Sequence, residues 1–225
     1  MSPLEAIKAR HAVRQYLETP IEAEKTDKIN DCITQCNREG GVHLQMVTND
    51  PSAFSSGLAK YGKFIGVSNY IAVVATKGND GDEKAGYYGE KVVLLMQTLG
   101  LNSCWVGLTF KNNKNAYQVT DGEELKCVIA FGYGATQGMP HPQKKSLSDL
   151  SQVEDEMPEW FRRGIESAML APTALNQQKF LFRLIDGNKV EAATRFALNH
   201  YAHIDLGIAK LHFEIGAGKE NFDWA

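Results

Sequence analysis

The order of the predicted elements repeats along this chain, and the repeat restricts the folds that the chain can adopt. A helix, a loop, a strand, a second helix and then a tryptophan occur twice. The strand and turn at residues 43–50 align with residues 180–187, and Trp105 aligns approximately with Trp224. Because helices separate the strands in both copies, we predict an α+β fold in which a mixed sheet is flanked by helices.

The two copies are unequal in length and in content. The first occupies residues 1–149 and the second, shortened copy occupies residues 150–225, and we expect them to pack as one globular unit. The second copy has no arginine-rich segment before its first helix, so a site that needs such a segment can form only once in the chain. The alternative is a chance similarity between two amphipathic units.

The composition argues against several classes of protein. The chain has 225 residues, a net charge of −3 and 43% hydrophobic residues, which suits a domain with a sizeable core. A charge so close to neutral gives no argument for a nucleic acid or an anionic membrane as a partner. No apolar run reaches the ~18 residues needed to span a bilayer, and no signal core is visible, so we expect a cytoplasmic protein. The four cysteines form no C-x-x-C motif, which favours buried reduced thiols.

Local signals set the expected helices and strands. Ser2-Pro3-Leu4-Glu5 has the pattern of a capping box, so a short helix should follow it and end near Arg10. Residues 78–81 predict a loop, residues 186–187 a turn and residues 135–146 an extended connector. The other predicted helices cover residues 19–40, 82–99, 158–170 and 202–215, and the predicted strands cover residues 42–48, 70–76, 103–106, 126–133 and 180–185.

A short basic segment follows the first predicted helix. Arg10 and Arg14 lie four residues apart, with His11 between them and Tyr16 just beyond. The planar guanidinium group of arginine suits bidentate binding of phosphate oxygens. On spacing alone, we favour the simpler interpretation that the segment is a solvated basic face. In either case we expect both arginines to lie on a loop face rather than in the core.

Several common catalytic and binding motifs do not fit the sequence. Gly132, Gly134 and Gly138 follow a strand, but their spacing differs from G-x-G-x-x-G, and the prolines that follow prevent a helix from starting there. The chain has no phosphate-binding G-x-x-x-x-G-K-S/T, no H-E-x-x-H and no G-x-S-x-G. Cys104 has no basic neighbour in the sequence that would lower its pKa, so it makes a weak candidate for a nucleophile.

Several segments together resemble the FMN-dependent nitroreductase family. Residues 10–16 (RHAVRQY) are similar to its R-R-S-x-R-x-F/Y segment, and residues 99–107 (LGLNSCWVG) are similar to L-G-L-G-T-C-W-I-G. Residues 171–180 resemble A-P-S-A-x-N-x-Q-P-W. Residues 132–134 and the later pair 144–145 resemble the end of a strand and the Pro/Lys-rich connector that follows it. In order, these motifs cover most of the chain.

The resemblance implies an FMN site shared between the two copies. The arginines and one of two adjacent lysines would hold the flavin phosphate and ribityl chain, and residues 172–176 would line the flavin ring from the second copy. The backbone amides of Gly107 and Leu108 would face flavin N5, where a residue without a Cβ allows close approach. No side chain is implied as a catalytic acid or base. The implied cofactor-binding residues are Arg10, His11, Ala12, Arg14, Gly107, Leu108, Lys144, Lys145, Pro172, Thr173, Ala174 and Asn176.

The chain departs from the family pattern in an informative way. Family members are usually homodimers that hold each flavin between subunits, and their A-P-S segment lies near the start of the subunit. Here residues 35–41 have lost that segment, and a similar one begins at Ala171. We therefore predict a pseudo-dimer, in which one chain imitates a dimer and exists as a monomer or a homodimer. Two further departures are Ala12 in place of a serine and Gly134 where proline is usual.

The resemblance further implies an FMN-dependent oxidoreductase. NADH or NADPH would donate electrons, and the partner would be a small acceptor such as a nitro compound or a quinone. Two alternatives stay open at this point. One is a different flavin reaction on the same scaffold, such as that of an oxidase or a dehalogenase. The other is a flavin-binding protein without catalytic activity.

Overall fold

Two four-stranded sheets, each packed on one of a pair of central helices, make up the fold. The computed structural model describes residues 1–143, 145–153, 156–195 and 200–225. The helices are α1 Pro3–Ala9, α2 Ala23–Gly40, α3 Gly57–Tyr61, α4 Asn79–Thr98, α5 Leu147–Leu150, α6 Glu159–Ala168 and α7 Ala202–Ala217. The strands are β1 His43–Val47, β2 Tyr70–Thr76, β3 Asn102–Val106, β4 Glu123–Gly132, β5 Ser151–Gln152, β6 Phe180–Asp186, β7 Lys189–Thr194 and β8 Asp223–Trp224.

The two sheets differ in strand direction. The first sheet has the order β1-β2-β4-β3 with every pair antiparallel, and the second has the order β5-β6-β7-β8 with parallel pairs at both ends. The predicted α+β class is confirmed, although the strands form one antiparallel and one mixed sheet rather than a single mixed sheet. The run YIAVVAT in β2 is buried at every position except its last, as expected for a strand covered on both faces.

Most predicted elements are present, with instructive differences at their ends. The predicted loop at residues 78–81 is wrong, because α4 begins at Asn79, where Asp80 and Asp82 place negative charge in the first turn of the helix. The second helix begins at Ala23, four residues later than expected. Strand β7, which follows the tight turn at Gly187, was missed because its alanine-rich sequence carries little β propensity. None of the described helices is long and apolar enough to cross a membrane.

Helices α4 and α7 cross in close contact at two glycines. A Cβ added at Gly86 would overlap the carbonyl oxygen of Ile204, and one added at Gly207 would overlap the carbonyl oxygen of Glu83. The contact is therefore reciprocal, since a glycine of each helix meets the backbone of the other. Reciprocal contacts of this kind are what a two-fold axis produces in symmetric dimers.

Residues that precede the predicted boundary between the copies pack with the second sheet. That boundary, between residues 149 and 150, falls inside α5, which packs on α6 and β6. Strand β5 then pairs with β6 at Ser151 and Phe182. The elements that pack with the second sheet thus begin at Leu147.

The expectation that both arginines lie on a loop face is wrong for Arg10. Its backbone N–H caps α1 on the carbonyl of Ala6, and its side chain is only 6% exposed. It lies beside Glu90, which is fully buried in α4 and offers a carboxylate as the partner of a buried cation. Arg14, by contrast, is exposed as expected.

Replacing Gly207 by alanine should separate α4 and α7. The new Cβ would meet the backbone of Glu83, which cannot move aside as a flexible side chain could. We expect Gly207→Ala to lower the free energy of unfolding by about 1–3 kcal/mol or more, measured by urea denaturation. Gly57→Ala is the matched control, because its Cβ would meet no atom within 4 Å. Equal stabilities of the two variants would contradict a close crossing.

Candidate functional site

A cavity of about 470 Å³ lies where residues of both predicted copies meet. Its size falls within the range of about 300–1,000 Å³ that is typical of small-molecule sites. The end of α1, the segment after β3 and the start of α7 contribute to its walls, together with residues 169–176. The predicted cofactor-binding residues that line it are Arg10, His11, Ala12, Arg14, Gly107, Leu108, Pro172, Thr173, Ala174 and Asn176.

The arginine segment reaches the cavity as an extension of the first sheet. Ala12 forms a parallel bridge with Ser103 of β3, and Val13 N–H donates to the Ser103 carbonyl at 3.0 Å. The hydroxyl of buried Tyr16 donates to the Val13 carbonyl at 2.6 Å. Backbone pairing on one side and a buried tyrosine on the other thus fix the path of residues 10–14.

A buried polar cluster lies behind the arginine. Glu90 Oε2 accepts a hydrogen bond from Trp105 Nε1 at 2.8 Å, and Glu90 Oε1 lies 2.9 Å from His212 Nε2. Arg10 Nε is 3.7 Å from the same Oε1, which is too long for a hydrogen bond. Arg10 Nε has no hydrogen-bond partner among the residues that the structure describes. A buried donor without an acceptor, on a residue that lines a cavity, suits a ligand that carries acceptor oxygens.

The loop from the second copy is held in a strained conformation. Leu175, Asn176 and Gln178 have φ angles of 55°, 53° and 49°, in the left-handed region that L-residues other than glycine seldom occupy. Each such residue costs of order 1–3 kcal/mol, and strain of this kind clusters at ligand sites. The buried side chain of Gln178 donates to the Met169 carbonyl at 2.7 Å, and its backbone N–H donates to Thr173 Oγ1 at 3.1 Å. These bonds hold the loop against the cavity.

Asp205, in the first turn of α7, holds the same loop through a backbone hydrogen bond. Both of its carboxylate oxygens lie 3.0 Å from the backbone N–H of Ala174, which donates to them. The side chain is 4% exposed and lines the cavity. Burial raises the pKa of Asp205 to about 7, although the hydrogen bond from Ala174 acts in the opposite direction. The carboxyl can therefore gain or lose its proton near neutral pH.

The mouth of the cavity is apolar. Leu108 is 75% exposed and Leu175 is 82% exposed, and both line the cavity together with Tyr61. Gly107 lies directly against α7, since a Cβ at that position would overlap the ring of Tyr201. Large exposed hydrophobic side chains that surround one opening indicate a binding surface.

Basic groups other than the predicted lysines surround the cavity. Lys144 lies outside the described residues, and Lys145 is half-buried and is not among the residues that line the cavity. Lys8 and His141 line it, although the sequence did not single them out. Burial lowers the pKa of His11, and the positive charges of Arg10 and His141 act in the same direction.

The basic neighbours do not activate Cys104. Cys104 has no basic neighbour in the sequence, but in the folded chain the charges of Arg10 and Arg14 act on it. They favour the thiolate form and so act to lower the pKa of the thiol. Burial dominates and raises the pKa of the thiol, so Cys104 is unsuited to act as a nucleophile.

Sequence reasoning missed Glu90, His212 and Asp205. The residues three and four positions before and after each of them are small, aliphatic or aromatic, so each side chain lies on the apolar face of its helix. That position is the signal that could have identified them, since buried ionisable groups need partners and often serve a site.

Comparisons with known proteins give a consistent result. A family model described as "Putative TM nitroreductase" matches residues 3–217. No curated protein matches the chain. Among solved structures, a "putative nitroreductase" from Thermotoga maritima has 23% identity and a TM-score of 0.68, over 98% of this chain and 85% of that one.

Two further solved structures share the fold. A "putative nitroreductase in complex with FMN" from Desulfovibrio desulfuricans has 17% identity and a TM-score of 0.53, over 70% of this chain and 99% of that one. A "putative NADH dehydrogenase/NAD(P)H nitroreductase" from Parabacteroides distasonis has 21% identity and a TM-score of 0.51, over 66% of this chain and 95% of that one. The match to the family model extends over nearly the whole chain, and the resemblance drawn from the motifs is confirmed: this protein belongs to the nitroreductase family.

Proposed function

We propose that this protein is an FMN-dependent oxidoreductase that uses NADH or NADPH to reduce small acceptors such as nitro compounds or quinones. The observation that carries the proposal is the cavity itself, which joins the arginine segment of the first copy to the Ala171–Asn176 loop of the second. These are the two halves of the flavin site that the family resemblance implies.

The polar part of the cavity suits the phosphate and ribityl groups of FMN. Arg10 offers a buried Nε that has no acceptor among the described residues, and Arg14 offers an exposed guanidinium at the edge of the same cavity. Charge-assisted hydrogen bonds from guanidinium groups to phosphate are among the strongest available to a protein. Ala12 supplies no hydroxyl, so its contribution would come from the backbone.

The apolar part suits a flat aromatic ring. Pro172 and Ala174 line the part of the cavity that the second copy forms, and Leu108 lines the part that the first copy forms. The bond from Ala174 to Asp205 would fix the wall, and the ring of Tyr201 packs against Gly107 on the side where a Cβ would lie. When bound, FMN would supply the hydride and electron chemistry that the side chains of this site lack.

The mouth of the cavity supports a nicotinamide donor and a planar acceptor. Tyr61, Leu108 and Leu175 present apolar surface that a nicotinamide, nitroaromatic or quinone ring could cover. The Parabacteroides distasonis relative, whose description includes NAD(P)H nitroreductase, supports the same choice of donor.

We further propose that the chain is a pseudo-dimer with one flavin. The reciprocal glycine contacts of α4 and α7 support an internal two-fold relation. Only one complete set of site residues exists, because the arginine segment occurs in the first copy and the A-P-T-A segment in the second. In a second, equivalent cavity, residues 35–41 would have to form the wall that residues 171–176 form here. Residues 35–41 contain no proline or threonine, so they cannot form the same wall.

The first test is the identity, stoichiometry and reactivity of the flavin. We expect the purified protein to release FMN rather than FAD on denaturation, in a ratio of one per chain. Under anaerobic conditions, NADH or NADPH should bleach the flavin absorbance before any acceptor is added, and initial rates should follow ping-pong kinetics. A protein that takes up no added FMN would contradict the proposal, and flavin that nicotinamides cannot reduce would favour a non-catalytic binder. Two flavins per chain would exclude the single shared site.

Arg14 provides a cleaner test of phosphate binding than Arg10, because it is exposed and, among the described residues, it has no buried ion-pair partner. Arg14→Ala should weaken FMN binding by about ten- to a hundredfold in a fluorescence titration, as expected for one lost charge-assisted hydrogen bond. Arg38→Ala, which removes an exposed arginine in α2, should leave the affinity unchanged. Equal affinities of the two variants would remove Arg14 from the site.

Asp205 should make stability depend on pH. Its folded pKa of about 7 lies above the ordinary value of 3.8, so the folded state binds the extra proton. The stabilisation is complete below about pH 4 and is lost as the pH rises through about 7, at up to about 1.4 kcal/mol per pH unit. Asp205→Asn keeps an oxygen for Ala174 and should flatten this dependence in urea denaturation, whereas exposed Asp27→Asn should not. If the pH dependence of stability were the same in Asp205→Asn as in the wild type, the pKa of Asp205 in the folded protein would be its ordinary value.

A further inference from the structure

We infer that His212 carries a positive charge and acts as the counter-ion of Glu90, which leaves the Arg10 guanidinium free for the anionic group of a bound ligand. The inference rests on the proposed function, because it takes the ligand to be FMN. It makes His212 a positioning residue that acts through Glu90 and does not touch the ligand.

The first argument is the competition for Glu90. His212 Nε2 lies 2.9 Å from Oε1, whereas Arg10 Nε lies 3.7 Å from the same atom. The other oxygen, Oε2, accepts from Trp105. Each oxygen of Glu90 thus already has one close partner, and Arg10 makes only a longer electrostatic contact.

The second argument is the hydrogen-bond inventory of the imidazole. His212 Nδ1 lies 3.2 Å from the backbone carbonyl of Ser167, and His212 Nε2 faces the carboxylate of Glu90. The Ser167 carbonyl can only accept, and so can Glu90 as the carboxylate that faces the Arg10 guanidinium. A neutral imidazole has one N–H and would leave the other nitrogen facing an acceptor, whereas an imidazolium donates to both. His212 is fully buried, so water cannot supply the missing donor from the surface.

The third argument is the balance of charge. The charged groups of the cluster are Arg10 from the end of α1, Glu90 from α4 and His212 from α7, while α6 contributes the Ser167 carbonyl and β3 the Trp105 N–H. With a neutral His212, Arg10 would be the sole counter-ion of a fully buried carboxylate, and a direct ion pair would neutralise both charges. With a charged His212, one carboxylate faces two cations, and a net positive charge remains at the cavity. The unpartnered Nε of Arg10 agrees with the second arrangement.

A double-mutant cycle on FMN affinity tests this assignment. In His212→Gln, Glu90 keeps a hydrogen-bond donor but loses its cation, so Arg10 should pair with Glu90. We expect FMN to bind about tenfold more weakly or worse, as for one charge-assisted hydrogen bond lost. The same substitution should weaken the binding of riboflavin, which lacks the phosphate, by a smaller factor. His203→Gln, on the same helix but with no ion pair to any described residue, is the matched control and should bind FMN as the wild type does.

The second half of the cycle distinguishes charge from packing. Glu90→Gln can still accept from Trp105 and donate to a neutral His212, and it removes the anion that competes for Arg10. We expect it to bind FMN at least as tightly as the wild type. The double variant Glu90→Gln/His212→Gln should recover the wild-type affinity to within about twofold. A purely structural role for His212 predicts the opposite, namely that the double variant binds as weakly as His212→Gln or more so, and that result would overturn the inference.

A measurement on the unmodified protein covers the case in which a variant fails to fold. Nitrogen-15 NMR of the histidine side chains should show both nitrogens of His212 protonated at neutral pH, and a ring nitrogen with a free lone pair would overturn the inference. Wild-type protein that binds no FMN would overturn the proposed function, and this inference with it. If the wild type binds FMN and Arg14→Ala weakens binding, but His212→Gln does not, the proposed function stands and the inference alone fails.

Discussion

The close crossing of α4 and α7 is the contact on which the rest of the structure depends. Gly86 and Gly207 let the two backbones meet, and side chains at these positions would push apart the helices that carry the two sheets. The buried cluster lies along the same pair, with Glu90 on α4 and His212 on α7. Any change in the distance between the helices would therefore reach the cavity, because both of its halves are attached to them.

The cavity combines two electrostatic environments that a single short segment could not provide. On one side, Arg10 lies beside a buried carboxylate that Trp105 and His212 already contact, and its Nε has no hydrogen-bond acceptor among the described residues. On the other side, Asp205 is buried with no ion-pair partner in the part of the chain that the structure describes, and both of its carboxylate oxygens accept from the backbone N–H of Ala174. Both groups are costly to bury alone, and each is tolerated because another element supplies its partner.

The loop at Leu175 and Asn176 carries backbone strain, and hydrogen bonds offset the cost of that strain. Left-handed backbone at successive residues opposes folding, while the hydrogen bonds of Gln178 and Asp205 hold the loop in place. The loop thus owes its shape both to its own Thr173 and Gln178 and to its contacts with Met169, which follows α6, and with Asp205 of α7. A loop shaped in this way can form the wall of a site without a ligand to order it.

The sequence by itself determined the elements and the family. Apolar runs such as YIAVVAT, the capping box at Ser2 and the glycine stop at Gly41 fix helices and strands locally, and the ordered motifs identify the nitroreductase family. Only the tertiary structure decided that Arg10 is buried, that β7 joins the second sheet, that Asp205 lines the cavity, and that Glu90 lies beside Arg10 and His212. Local patterns report periodicity and turn chemistry, which act over a few residues. The charge partners lie far apart in the sequence, as with Glu90 and His212, and only the packing of the two central helices brings them within hydrogen-bonding distance.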